Sequence, residues 1–286
     1  MVFIKSSFAL VVLFSAFALS APVRREVPQE HSHEPILTTV RTSLNLNNPD
    51  KIVDPVFALL GNAAAAAGAG DIQNLDCLQQ AVADQAFTNA KAAGDTAGMV
   101  NALLFRALER NTGQVGLASV LCNETATNPE VAAIQQHQDA ASSGAAATNK
   151  AIVLELAKQI ATIGGDPTDA LKTGTFAAGN VDDTTGKGNS CDDANDANGC
   201  IFTDNLLVED ATEAEINAAV AGISSGSGAT ATATSNGSTA TDSSCDTTVT
   251  VTVTAAATAT ADATATCAAP SSTVTVTVTP TATARR

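Results

Sequence analysis

The chain has 286 residues, a formal net charge of −15 at pH 7, and neither Trp nor Tyr. That charge opposes binding to nucleic-acid phosphates or anionic membrane and favours cationic partners or an acidic surrounding. Of nine Phe, four (Phe3, Phe8, Phe14 and Phe17) lie at the start of the chain. So few ring faces argue against a lectin or a polysaccharide hydrolase, whose sites stack sugars on aromatic rings.

Residues 1–20 read as a signal peptide. Lys5 gives the charged start, and Phe8 to Phe17 is an apolar run too short to span a bilayer. Ala18-Leu19-Ser20 supplies small residues, which places cleavage after Ser20. Arg24-Arg25 is a candidate dibasic trimming site. Losing Lys5, Arg24 and Arg25 with these segments takes the charge from −15 to about −18. Residues 21–48 are polar and Pro-punctuated and are expected to form a flexible leader. Within it, His31-Ser32-His33 offers two imidazoles, a copper or nickel pattern, but solvated side chains are the expectation in such a segment.

Residues 49–223 hold the material for one domain. Asp54-Pro55 is an N-cap followed by Pro at the first helical position, opening an Ala-rich helix that stops near Gly68 and Gly70. A second helix is expected from Asp71 or Ile72 to about Ala92, with Ile72, Leu75, Leu78 and Val82 on one face. Asp95 caps a third, whose stripe is Met99, Val100, Leu103, Leu104, Ala107 and Leu108. A short helix is expected over Val115 to Cys122, and another opens at Asn128-Pro129-Glu130. His137, in Gln-Gln-His-Gln-Asp, is expected at an exposed polar helix end. Ile152, Val153, Leu156, Ile160 and Ile163 mark the clearest helix, closed by Gly164-Gly165. Asp166-Pro167 caps a further turn. Residues 175–200 have no period and read as a long pinned loop. Thr212 with Glu215 forms a capping-box pattern ahead of Ile216 and Val220. The expected fold is all-α, a compact bundle-like domain with mostly short connections.

Residues 224–286 change character. Ser and Thr make up 29 of these 63 residues, and none is Leu, Ile, Met or aromatic. Such a stretch buries too little apolar surface to offset the ordering of its backbone. It reads as a disordered or weakly β, glycosylated tail. Thr247 to Thr254 and Thr273 to Thr279 alternate Thr and Val, the period of a strand. The Thr-Ala-Thr-Ala-Arg-Arg end is not the hydrophobic tail of a lipid-anchor signal.

Six cysteines in a secreted chain imply three disulfides, with fifteen possible connectivities. Order and segment favour Cys77–Cys122, Cys191–Cys200 and Cys245–Cys267. No Cys-x-x-Cys occurs, so a cysteine-held zinc is not expected. Asn123-Glu124-Thr125 and Asn236-Gly237-Ser238 are N-glycosylation acceptor patterns at Asn123 and Asn236.

Catalytic signatures fail on context. Gly222-Ile223-Ser224-Ser225-Gly226 resembles a hydrolase nucleophile turn, but that turn needs a strand before Ser224 and a helix after it. The run Asp192-Asp193-Ala194-Asn195-Asp196-Ala197-Asn198-Gly199 fits no frame of a calcium loop, and turn chemistry accounts for it as well. No catalytic residue, cofactor or metal site is expected. A hydrolase would instead announce itself as paired carboxylates in a cleft, and a ligand-binding module as an apolar pocket between helices.

The segments Asn74-Leu75-Asp76-Cys77-Leu78-Gln79-Gln80-Ala81, Leu104-Phe105-Arg106-Ala107-Leu108-Glu109-Arg110-Asn111 and Val120-Leu121-Cys122-Asn123-Glu124-Thr125 carry a resemblance. They resemble a group of secreted cell-wall or surface proteins of filamentous fungi, over roughly residues 50–222. The resemblance implies an extracellular protein and brings no catalytic residues with it. The six cysteines depart from the eight-cysteine patterns of hydrophobins and haem-binding surface domains. The expected function is a non-enzymatic wall or surface protein whose partners are wall polysaccharide or wall proteins. A secreted ligand-binding module or host-directed effector is the alternative.

Overall fold

The computed structural model describes residues 27–223 except 184 and 186, together with the backbone of 249–253 and 274–278. The first helix, α1 (Glu34–Leu44), lies inside the stretch expected to be a flexible leader. Pro35 fixes φ in its first turn, Glu34 sits at the positive end of its dipole and Arg41 in the last turn. Ile36, Leu37, Val40 and Leu44 share one face and are at most 3% exposed. They pack on α3 (Leu78–Ala93) and α4 (Thr96–Ala107). The leader expectation therefore fails from residue 27 onward. Polar neighbours masked a four-residue stripe whose stability comes from tertiary packing.

The Ala-rich helix expected after Asp54 is replaced by a 3-10 turn, Pro55–Leu59, and the four-residue α2 (Asn62–Ala65). Asp54 does cap as expected, accepting from the Val56 N–H at 2.9 Å. The chain then doubles back. Val53 N–H donates to the Gly68 carbonyl and Asp71 N–H to the Asp50 carbonyl. A Cβ at Gly68 would stand 2.0 Å from the Phe57 ring, so only glycine permits this return.

A 3-10 turn, Leu75–Cys77, leads into α3, which stops at Gly94 in the left-handed region. Asp95 caps α4 through the Gly98 N–H. The two helices form the central hairpin of the core, with Phe87, Leu103 and Phe105 fully buried. The helix expected over Val115 to Cys122 is absent: a turn at Val115 and Gly116 leads into irregular chain. Gly116 has φ +81°, which breaks a helical run, and Cys122 is tied to Cys77. The pattern at Asn128-Pro129 yields one four-residue helix, α5 (Pro129–Ala132).

The long helix α6 (Ala145–Thr162) buries Ile152, Val153, Leu156 and Ile160 against α4 and the following 3-10 segment, Pro167–Thr173. Asp166 caps that segment through Thr168. Residues 175–199 form the expected irregular loop, pinned by Cys191–Cys200 and by a single bridge between Thr175 and Val208. Short α7 (Cys200–Thr203) and α8 (Glu213–Ala219) close the described domain. The capping box at Thr212 and Glu215 is present in both directions. The domain is all-α. Beyond it, the backbone of β1 (Val249–Val253) pairs antiparallel with β2 (Val274–Val278), Val opposite Val and Thr opposite Thr.

Two stability measurements follow from this packing. Leu37→Ala should cost about 2–5 kcal/mol in chemical denaturation, as for any fully buried leucine. A flexible leader would leave the value near zero. Replacing Cys77 and Cys122 together by Ser releases a loop closed over 45 residues. In chain-entropy terms that costs about 4 kcal/mol, read as a fall in the denaturation midpoint.

Candidate functional site

The C-terminus of α4 organises a polar interior. Its last carbonyls have no helical partner and are buried, so donors must come from elsewhere. Gln79 on α3 donates to the Phe105 and Leu108 carbonyls at 2.9 and 2.8 Å. The Ala107 carbonyl accepts from the His137 backbone N–H at 2.8 Å and meets the His137 Nδ1 at 2.6 Å. His137 is 0% exposed, contrary to the exposed position expected from its polar neighbours. The whole Gln136–Asp139 segment is non-helical and buried, and its side chains are hydrogen-bonded except at His137 Nε2. Arg106 donates to Gln136 Oε1 at 3.1 Å, and Gln136 Nε2 donates to the Val120 carbonyl at 2.8 Å. Asn149 exchanges two hydrogen bonds with the Gln138 backbone at 2.9 Å each. Asp139 accepts from the Gly116 and Ala141 N–H groups at 2.9 and 2.7 Å.

In and around this segment two imidazoles and two carboxyl groups have displaced titration. Burial pushes the His137 imidazole down to about 4, against the pull of the Ala107 carbonyl. Burial and then the neighbouring His137 bring His33 down to about 4. Burial pushes the Asp210 carboxyl up to about 6, opposed by Asn149. Its Oδ2 lies 3.5 Å from His137 Nε2. Glu109 is pushed up to about 8 by burial, with the Asp139 and Asp210 carboxylates adding to the effect and Gln29 opposing it. At neutral pH both imidazoles are therefore uncharged and Glu109 keeps its proton.

Glu109 and Asp139 line one cleft, with Val27, Gln29, Val115 and Phe176. A second cleft joins Glu109 and Gln29 to His33. Two carboxyl groups lining one cleft are the raw material of acid–base chemistry. Space decides against a substrate here. The free volumes are ≈ 20 and ≈ 10 Å³, room for about one water. Both Asp139 oxygens are also committed to backbone N–H groups. The larger depression is an open groove of ≈ 440 Å³ beside α6, walled by Ala133, Ala147, Ala151 and Ile152 and edged by Gln135, Thr148 and Glu155.

Of the sites expected from sequence, Cys77 joins Cys122 and Cys191 joins Cys200. Asn123 is exposed beside the first disulfide, its Oδ1 accepting from Asn74 at 3.0 Å. Cys245, Cys267, Asn236 and Ser224, like residues 1–20, where a signal peptide is expected, lie outside the described residues. The Asp/Asn run is consumed by turns: Asp193 accepts from Asn195 N–H and Asp196 from Asn198 N–H. Asp192 differs, reaching His31 across 161 positions at 2.8 Å. Glu109, Asp139 and Asp210 carried no sequence signal except that Glu109 directly follows the apolar stripe of α4. Among the described residues no helix is long and apolar enough to cross a membrane.

The displaced groups set a pH profile. Glu109 and Asp210 hold protons in the folded state that the unfolded chain releases, so their contribution is complete below about 4 and is lost as pH rises through about 6 and 8. His33 and His137 act oppositely, contributing fully above 6.5 and losing stability as pH falls to about 4. Between these limits the two pairs offset one another. Above 6.5 only Glu109 continues, so the denaturation midpoint should fall from pH 6.5 to 8. Glu109→Gln should remove that fall and be about 1–3 kcal/mol more stable than the parent at pH 8.

No family model, no curated protein and no solved structure matches the chain.

Proposed function

We propose that this chain is a non-enzymatic protein of a fungal cell wall or surface, an acidic helical head carried on a hydroxyl-dense, sugar-bearing tail. The observation that carries the reading is the pair of disulfides in the head, Cys77–Cys122 and Cys191–Cys200. Such bonds persist in oxidising compartments and are rare where thiols are kept reduced. The apolar, charged-start segment at residues 1–20 and the Ser/Thr density of residues 224–286 point the same way. The single-water volume beside Glu109 supports a role in contact and display over one in turnover.

On this reading the partners are wall polysaccharide or wall proteins, met through a surface rich in carboxylates. The exposed Asn123 and the Asn236 pattern carry N-linked sugar, and the tail hydroxyls carry O-linked sugar. The alternative, a secreted ligand-binding module or effector, rests on the open groove beside α6.

Fractionating cells that express a tagged full-length chain tests the reading. The protein should appear in the wall fraction, and removing residues 224–286 should shift it to the medium. Recovery of the full chain only from the medium would remove the wall assignment. In the same preparation, enzymatic removal of N-glycans should lower the mass, and Asn123→Gln should remove part of that shift. Native mass measurement separates the alternative, which requires a co-purifying apolar ligand.

A further inference from the structure

We propose that Glu30, His31 and Asp192 form a binding site for a zinc-class divalent cation. One ligand atom from each lies within 4.8 Å of the others. An imidazole nitrogen with two carboxylate oxygens is a borderline donor set that suits Zn²⁺ better than Ca²⁺, which takes oxygen ligands. Three protein ligands leave the remaining position to water, in keeping with a half-buried pair: His31 and Asp192 side chains are 25% and 24% exposed.

The frame is built by the fold and does not depend on an ion. Asp192 directly follows Cys191, whose disulfide to Cys200 fixes the loop. The loop end is docked on the ligand-bearing segment through Ile201 N–H to the Ser32 carbonyl. Gly199, at φ +81°, approaches that carbonyl so closely that a Cβ would stand 2.6 Å from it. The Phe202 and His33 rings pack edge to face with centroids 5.5 Å apart. On the other side, Asn111 donates to Glu30 Oε2 at 2.7 Å and aims that carboxylate. His31 is tied to Asp192 twice, by its backbone N–H at 2.9 Å and by Nδ1 at 2.8 Å. An ion bound there takes the place of the hydrogen bond between Nδ1 and the carboxylate, and the single N–H of the neutral ring then sits on Nε2, which leaves Nδ1 free to ligate. The other acids of the loop serve turns: Asp193 and Asp196 each accept from a backbone N–H two residues on.

The test is calorimetric titration of ZnCl₂ into the full chain, produced without a polyhistidine tag, at pH 7. One saturable equivalent is expected, with little response to CaCl₂. His31→Ala and Asp192→Asn should each weaken it about tenfold or more, while Asp193→Asn should leave it unchanged. Equal binding by His31→Ala, or an equal loss in Asp193→Asn, would overturn the site as diffuse binding by surface acids. A measurement on the unaltered protein guards against misfolded variants. The chain has three histidines, and Zn²⁺ should move the His31 ring proton resonances while leaving His33 and His137 in place. Movement of none, or of all three alike, overturns the assignment.

Discussion

Buried carbonyls at the ends of short helices are the constraint on which this fold turns. Its helices run from 4 to 18 residues, so a large share of their carbonyls are terminal and lack an intrahelical partner. Leaving one buried and unpaired costs about 1–3 kcal/mol. The chain answers with long polar side chains from distant elements. Asn89 on α3 donates to the Ser43, Leu44 and Asn47 carbonyls at the end of α1. Gln79 closes α4. Arg110 reaches the Ala58, Leu60 and Leu75 carbonyls around the first two 3-10 turns. Each donor ends one element and fastens it to another 26 to 52 positions away. The same bonds that satisfy the termini thus fix the topology, and the apolar core fills the space they define.

The polar interior follows from that solution. A donor at Ala107 brings an imidazole into a dry site, and burial then keeps His137 neutral. Arg106, also buried, is held down to about 10 by desolvation and by Arg110, and remains charged at neutral pH while bonding Gln136. Glu109 is drawn in beside them at the end of the same helix and stays protonated. These groups are a by-product of closing α4 among other elements, and the clefts that Glu109 borders have room for a single water and not for a substrate.

Local signals in the sequence were the ones that translated. The Asp54, Asp95 and Asp166 caps, the Thr212/Glu215 box and the α6 stripe all act within four residues, and all are present. Features that depend on contacts distant in sequence were not legible. The α1 stripe has too few apolar positions to stand out until α3 and α4 cover it. The irregular path of residues 115–122 is held by Cys77 and by Gln136, neither of which neighbours it in sequence. The Gln136–Asp139 segment reads as surface because its residue types are polar, and burial is tolerable only because Arg106, Asn149 and the Ala107 carbonyl meet it. Composition predicts cost there, while the partners that offset the cost lie elsewhere in the chain.

The N-terminal segment shows the same logic carried to the surface. Residues 27–33 have no apolar period of their own, yet Val27 is buried, its N–H donating to the Thr112 carbonyl, and Ser32 receives the loop that follows Cys191. A small acidic domain gains little from ion pairs at its surface, where exposed pairs contribute about 0–1 kcal/mol. Its irregular half therefore relies on devices that constrain the chain directly: a disulfide, a left-handed glycine at 199 and a ring edge between His33 and Phe202. These hold Glu30, His31 and Asp192 at fixed spacing whether or not anything binds them. Rigidity that solves a folding problem for residues 175–200 is thus also the preorganisation a cation site requires.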